Sequence, residues 1–158
     1  TANKLQQQAQ KTGDQAIREV STSFTVKDVY GVENTDDNYI DQIVLKIGLA
    51  AGAPAQNLDQ TVVQVKNNTA EANLQNGSSP SGTNYGSSVI IEQEGDNNYY
   101  LEQGDLIKIT IDVTAALGDS GLGTQEDVSI EIMPKHGTPT YEEITTPPVI
   151  IGDHIELT

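Results

Sequence analysis

The chain has 158 residues, 35% of them apolar, with 23 acidic against 8 basic side chains and a formal net charge of −15. Its length suits one domain with a sizeable core, and its charge excludes nucleic acid and anionic membrane surfaces as partners, because both repel it. Cysteine and tryptophan are absent and Phe24 is the only phenylalanine, so the core must come from Val, Ile, Leu and Ala and stability from β packing rather than disulfides.

In chain order, residues 1–20 read as helix. Leu5, Ala9, Thr12, Ala16 and Val20 recur at spacings of four, three, four and four, which is one helical stripe. The stripe is thin, as expected of the end of a longer N-terminal helix. Thr1 is not Met, which implies that the natural start lies upstream. No apolar run is long enough for a membrane span, and no secretory signal is visible.

From residue 21 to 158 the texture is β. Ile43, Leu45, Ile47 and Leu49 share one face while Lys46 and Gly48 take the other. Ile107, Ile109, Ile111 and Val113 alternate with Lys108, Thr110 and Asp112, and Val128, Ile130 and Ile132 alternate with Ser129 and Glu131. Period two means strands with one buried face. Weaker strands are expected at Phe24–Tyr30, Thr61–Lys66, Ser87–Glu92, Tyr141–Thr145 and His154–Leu157. Turn sequences around 51–57, 102–105, 117–123 and 135–139 separate them. With no interleaved helices, these strands predict an antiparallel β-sandwich.

Asn67–Ser88 is rich in Gly, Ser and Asn and is expected to be a long surface excursion. It holds two N-glycosylation sequons, headed by Asn67 and Asn76. Further on, Glu94, Asp96 and Asn98 place oxygens at alternate positions, as a loop that wraps a hard cation does. Glu102 and Asp105 follow at distances suited to complete a shell, so one Ca²⁺ is the expected ion. Tyr99 stands where a helix-loop-helix calcium site wants Gly, and strands flank the run, so it is not that motif. An ordinary acidic turn is the competing reading.

Catalysis is not expected. A nucleophile needs an adjacent base, and the histidines, His136 and His154, lie outside any G-x-S-x-G pattern. Paired carboxylates for glycoside hydrolysis lack the stacking aromatics of a sugar cleft. No Gly-rich phosphate loop opens a helix.

Four segments resemble the archaeal flagellins, or archaellins: KLQQQAQKTGDQAIREVSTSFTVKDVYG (4–31), NYIDQIVLKIGLAAGAPAQNLDQTVVQVKN (38–67), LEQGDLIKITIDV (101–113) and EDVSIEIMPKHGTPTYEEITTPPVIIGDHIELT (126–158). They are similar to the family's helix end, its second and third strands, its Gly-Asp strand and its terminal strands. The resemblance implies an Ig-like β-sandwich on the exterior of an extracellular motility filament. It implies assembly with copies of itself and related archaellins in a helix, and no catalytic step. It implies N-glycans, which fall on Asn67 and Asn76. It also implies a metal-binding run in some members; Glu94, Asp96 and Asn98 lie there, with Glu and Asn at its ends where the family pattern has Asp and Ser. An upstream apolar helix, missing here, would insert the precursor in the membrane. Two other readings stay open: an acidic extracellular binding module, cohesin-like or carbohydrate-binding, and a surface-layer or pilin-like subunit.

Overall fold

The computed structural model describes residues 24–34, 38–91, 100–118, 121–152 and 154–157. The helix expected over 1–20 lies outside them. The strands are β1 (Phe24–Val32), β2 (Gln42–Leu49), β3 (Gln56–Asn57), β4 (Val62–Lys66), β5 (Glu71–Gly77), β6 (Asn84–Ile91), β7 (Tyr100–Leu101), β8 (Leu106–Asp112), β9 (Asp127–Met133), β10 (Thr140–Thr145) and β11 (His154–Glu156). A 3-10 turn, Leu58–Gln60, precedes β4, and one short helix, α1 (Val113–Leu117), follows β8.

Nine strands form one sheet in the order β10-β9-β4-β5-β6-β8-β2-β1-β11, and β3 pairs with β7 separately. The sheet curls into two layers, β10-β9-β4-β5 and β6-β8-β2-β1-β11, whose inner faces share one core. This is the expected Ig-like β-sandwich. Ile43, Leu45, Ile47, Ile107, Ile109, Ile111, Val128, Ile130 and Ile132 are all buried in that core. The alternating strands put their branched side chains on one side of the pleat, and burial of that side drives the fold. None of the described helices is long and apolar enough to cross a membrane.

Two expectations need correction. Residues 67–88 are not a surface excursion: they contain β5 and much of β6. Their only large apolar side chains packed fully inward are Leu74 and Tyr85, both 0% exposed. With so few apolar positions there is no period to read, yet β5 is held by β4 along one edge and β6 by β8. The sheet is also not wholly antiparallel, because β5 and β6 run parallel through Gln75–Asn84, Asn76–Tyr85 and Gly77–Gly86. The chain reverses twice within residues 78–83, so the end of β5 and the start of β6 point the same way.

Side chains hold that parallel joint. The Asn84 amide nitrogen donates to the carbonyls of Gln75 at 3.3 Å and Asn76 at 3.2 Å. Gly77 is required beside it, since a Cβ there would stand 2.8 Å from the Cβ of Asn84. Tyr85 turns inward and its hydroxyl lies 3.0 Å from the Leu58 carbonyl and 2.8 Å from that of Thr61. Burial, and secondarily the charge of Asp59, pushes the Tyr85 hydroxyl well above its ordinary pKa, so it stays a donor.

Helix α1 packs beside the same joint, where a Cβ on Gly82 of the β5–β6 connection would stand 3.2 Å from the Ala115 carbonyl oxygen. The Asp112 carboxylate accepts from the Ala115 amide at 3.0 Å as N-cap, and Gly118 ends the helix at φ +70°, a left-handed value that glycine adopts without strain. Val113 and Leu117 are its buried residues. A two-way backbone bridge between Ile40 and Leu122, 2.9 Å each way, closes the same end of the sandwich.

Tyr85→Phe keeps the ring but removes the hydroxyl that meets the Leu58 and Thr61 carbonyls; that of Leu58 keeps the Thr61 amide, 3.0 Å away. It is expected to cost about 1–3 kcal/mol, read by urea denaturation of wild type and variant. A change under ~0.3 kcal/mol would mean that the hydroxyl does not hold the 3-10 turn.

Candidate modification, metal and assembly sites

The two sequons sit in different surroundings. Asn67 follows β4 and is only 7% exposed. Its side-chain oxygen accepts from the amides of Thr69 (2.9 Å) and Ala70 (2.7 Å) and from the Thr69 hydroxyl (3.1 Å). This is an Asx turn, which reverses the chain from β4 into β5. Its amide nitrogen donates to Glu126 Oε1 at 3.1 Å, while Glu126 Oε2 accepts from the Gly123 amide at 2.9 Å. Asn67 therefore ties the β4–β5 turn to the segment entering β9. The exposure expected of it from the polar sequence is not what the fold provides.

Asn76 lies near the end of β5 and is half-buried. It accepts from the Ser87 hydroxyl at 2.6 Å and donates to Asp59 Oδ1 at 2.8 Å. These groups, with Ser78 and Ser88, border an open depression of about 640 Å³ floored by Val89 and Ile107. The side chain reaches solvent through it.

Glu94, Asp96 and Asn98 fall in 92–99, outside the described residues. What can be placed is their frame. Exposed Ile90 and Ile91 end β6 before the segment, and Tyr100 opens β7 after it, pairing with Asn57 of β3. Asp105, 7% exposed, spends one carboxylate oxygen on the Glu102 amide at 2.9 Å, and its own amide donates back to the Glu102 carbonyl at 3.1 Å. Asp105 thus builds the turn into β8. Among the described residues no three His, Cys, Asp or Glu side chains gather as a metal group.

The histidines lie at exposed places. His136 is in the bend between β9 and β10. His154 on β11 stacks on Tyr30, centroids 4.1 Å apart, and its Nε2 meets Glu156 at 3.4 Å. Among the described residues the strongly exposed tyrosines, Tyr39, Tyr100 and Tyr141, sit on separate elements. Sequence reasoning missed Glu126 as the partner of Asn67 and Asp59 as that of Asn76; both contacts join residues far apart in the chain, and no local pattern signals them.

Comparison with known proteins assigns the family. The archaeal-type flagellin profile matches residues 1–143. Flagellin A2 of Haloferax volcanii is 28% identical over 176 aligned positions, covering 96% of this chain and 79% of that protein. Flagellin B1 of Methanococcus voltae is 29% identical over 181, covering 99% and 82%. In fold, the chain is similar to the crystal structure of archaeal flagellin FlaB1 from Methanocaldococcus jannaschii, with a TM-score of 0.79 at 20% identity over 86% of this chain and 96% of that one. It is also similar to the subunit of the archaeal flagellum of Methanospirillum hungatei, TM-score 0.65 at 17% identity, over 98% and 83%. The chain belongs to the archaeal-type flagellins and is a structural subunit of the extracellular archaeal motility filament, in which such subunits assemble helically.

Proposed function

We propose that the β-sandwich is the solvent-facing outer part of the subunit, that it catalyses nothing, and that residues 1–20 end the helix that enters the filament core. The observation that carries this reading is the division of the strands. Their apolar faces turn into one core, and acids such as Asp28, Asp112, Glu131 and Glu143 lie on their outward faces, in a chain whose net charge is −15. Such a surface keeps a protein soluble rather than shaping a cleft. Exposed histidines against Tyr30 and in a bend support the absence of chemistry.

The chain has no cysteine, so introduced thiols report position cleanly. In intact filaments from the native host, Thr124→Cys, at an exposed bend far from Phe24, is expected to react with a maleimide dye, and Ala16→Cys on the helical stripe to be protected. The reverse pattern would put the sandwich inside and the helix outside.

N-glycans are proposed to go first to Asn76. Both side-chain amides donate to a carboxylate, Asn67 to Glu126 and Asn76 to Asp59, but Asn67 is 7% exposed whereas Asn76 is half-buried and borders the open depression beside Ser87. Peptide-level mass spectrometry of native filaments should find glycan on the Asn76 peptide and, where Asn67 is modified at all, at lower occupancy. A bare Asn76 with an occupied Asn67 would reverse this ranking.

The run Glu94, Asp96 and Asn98 is proposed to hold one Ca²⁺, supported by the alternate spacing of its oxygens. Stabilisation should follow mass action, about 2.7 kcal/mol when free ion exceeds its dissociation constant 100-fold. Thermal melts in EDTA and in excess Ca²⁺ should differ for wild type and coincide for Asp96→Ala. If Asp96→Ala gains as much as wild type, the ion binds elsewhere.

A further inference from the structure

We infer that the outward face of the β8-β2-β1 layer docks on the outward face of the β9-β10 layer of the next copy, through lysines on one side and glutamates around Tyr141 on the other. The inference rests on the filament role given above and specifies which faces meet.

Copies of a chain with net charge −15 repel one another, so contact between sandwiches needs places where the sign reverses. The fold gathers cations on one face, where Lys27, Lys46 and Lys108 stand beside Asp28 and Asp112. Lys46 of β2 and Lys108 of β8 are directly opposite in register. Like charges directly opposite destabilise a sheet. Asp28 faces Lys46 across β1–β2, yet among the described residues neither lysine is in an ion pair. The Lys46 ammonium lies over the ring of Tyr30, 5.8 Å from its centroid. Lys27, lying over Gly48, extends the basic strip.

The other layer carries the complement. Glu131 of β9 and Glu143 of β10 point outward with Tyr141, which is paired in register with Glu131 and is 58% exposed. Neither glutamate has an ion-pair partner among the described residues. Lys66 is a cation at the rim of this face. Next to Lys108, the basic face has a shallow depression of about 310 Å³, lined also by Pro80, Gly86, Ser88 and Thr110, with room for an aromatic ring such as Tyr141.

Geometry then fixes the kind of contact. The two layers share a core, so their outer faces look in opposite directions and cannot meet within one chain. Joining them joins two different surfaces of successive copies. A heterologous contact of that kind propagates into an open helical array unless its rotation closes a ring.

Two measurements on filaments from the native host test this. In the first, Lys108→Cys/Glu143→Cys subunits are treated with a short bis-maleimide. A ladder of multimers is expected from this double variant and none from either single variant. Filaments that give no ladder, or single variants that cross-link to dimers, overturn the inference. In the second, Lys46→Glu/Lys108→Glu should lose filaments, and adding Glu131→Lys/Glu143→Lys should restore them, with circular dichroism melts reporting folding of each variant. Folded Lys46→Glu/Lys108→Glu subunits that assemble as wild type also overturn it. A wild-type chain that forms no filament would instead remove the filament role on which the inference rests.

Discussion

The sandwich depends on one short joint. β5 belongs to one layer and β6 to the other, and three parallel register pairs are all that make the nine strands a single curled sheet. Parallel pairing over so short a stretch is weak by itself. Here it is locked from both sides: Asn84 grips the backbone of β5, and Tyr85 buries its ring and ties its hydroxyl to the turn before β4. The hinge between layers is therefore a set of polar contacts seated on the rim of an aliphatic core. That core has one phenylalanine and one fully buried tyrosine, so much of its shape rests on β-branched side chains in adjacent strands.

How much of this was legible follows from the same division. Ile43–Leu49, Ile107–Val113 and Val128–Ile132 announce themselves, because an alternating run of branched residues has few other stable homes. β5 and the start of β6 fall in the stretch expected to be loop, because Glu71–Gly77 has only Ala72 and Leu74 as apolar residues, too few to show a period, and its stability comes from neighbours that only the fold supplies. Asn67 shows the same limit at the level of a site. Its sequon is visible in three letters, but its bond to Glu126 spans 59 positions and decides its accessibility. Glu94, Asp96 and Asn98 remain a reading of spacing alone. The family, by contrast, was legible in four ordered segments, since each records a strand together with the turn that follows it.

The role of a filament subunit sets opposite demands on the two sides of each strand. The inner side must hold a domain together without covalent staples. The outer side must stay hydrated and still allow regular contact with copies of itself. A strongly acidic exterior with a local basic strip satisfies both, and it makes contact geometry depend on charge placement rather than on large apolar patches. Among the described residues the exposed large aliphatics fall in two short places, Ile90 and Ile91 at the end of β6 and Val149 and Ile151 between β10 and β11.

The ends of the curled sheet carry a further consequence. An open sheet offers unpaired amides and carbonyls to any passing strand, and concentrated β proteins are prone to cross-β association by that route. Here one end is β11, three residues long, and the other is β10, which bears Glu142 and Glu143 and is tied to the far end of the sheet by the Thr140 hydroxyl on the Phe24 carbonyl at 3.0 Å. A foreign strand finds too little length at one border and negative charge at the other. Crowded subunits awaiting incorporation are thus steered away from amyloid-type growth, which would compete directly with orderly polymerisation.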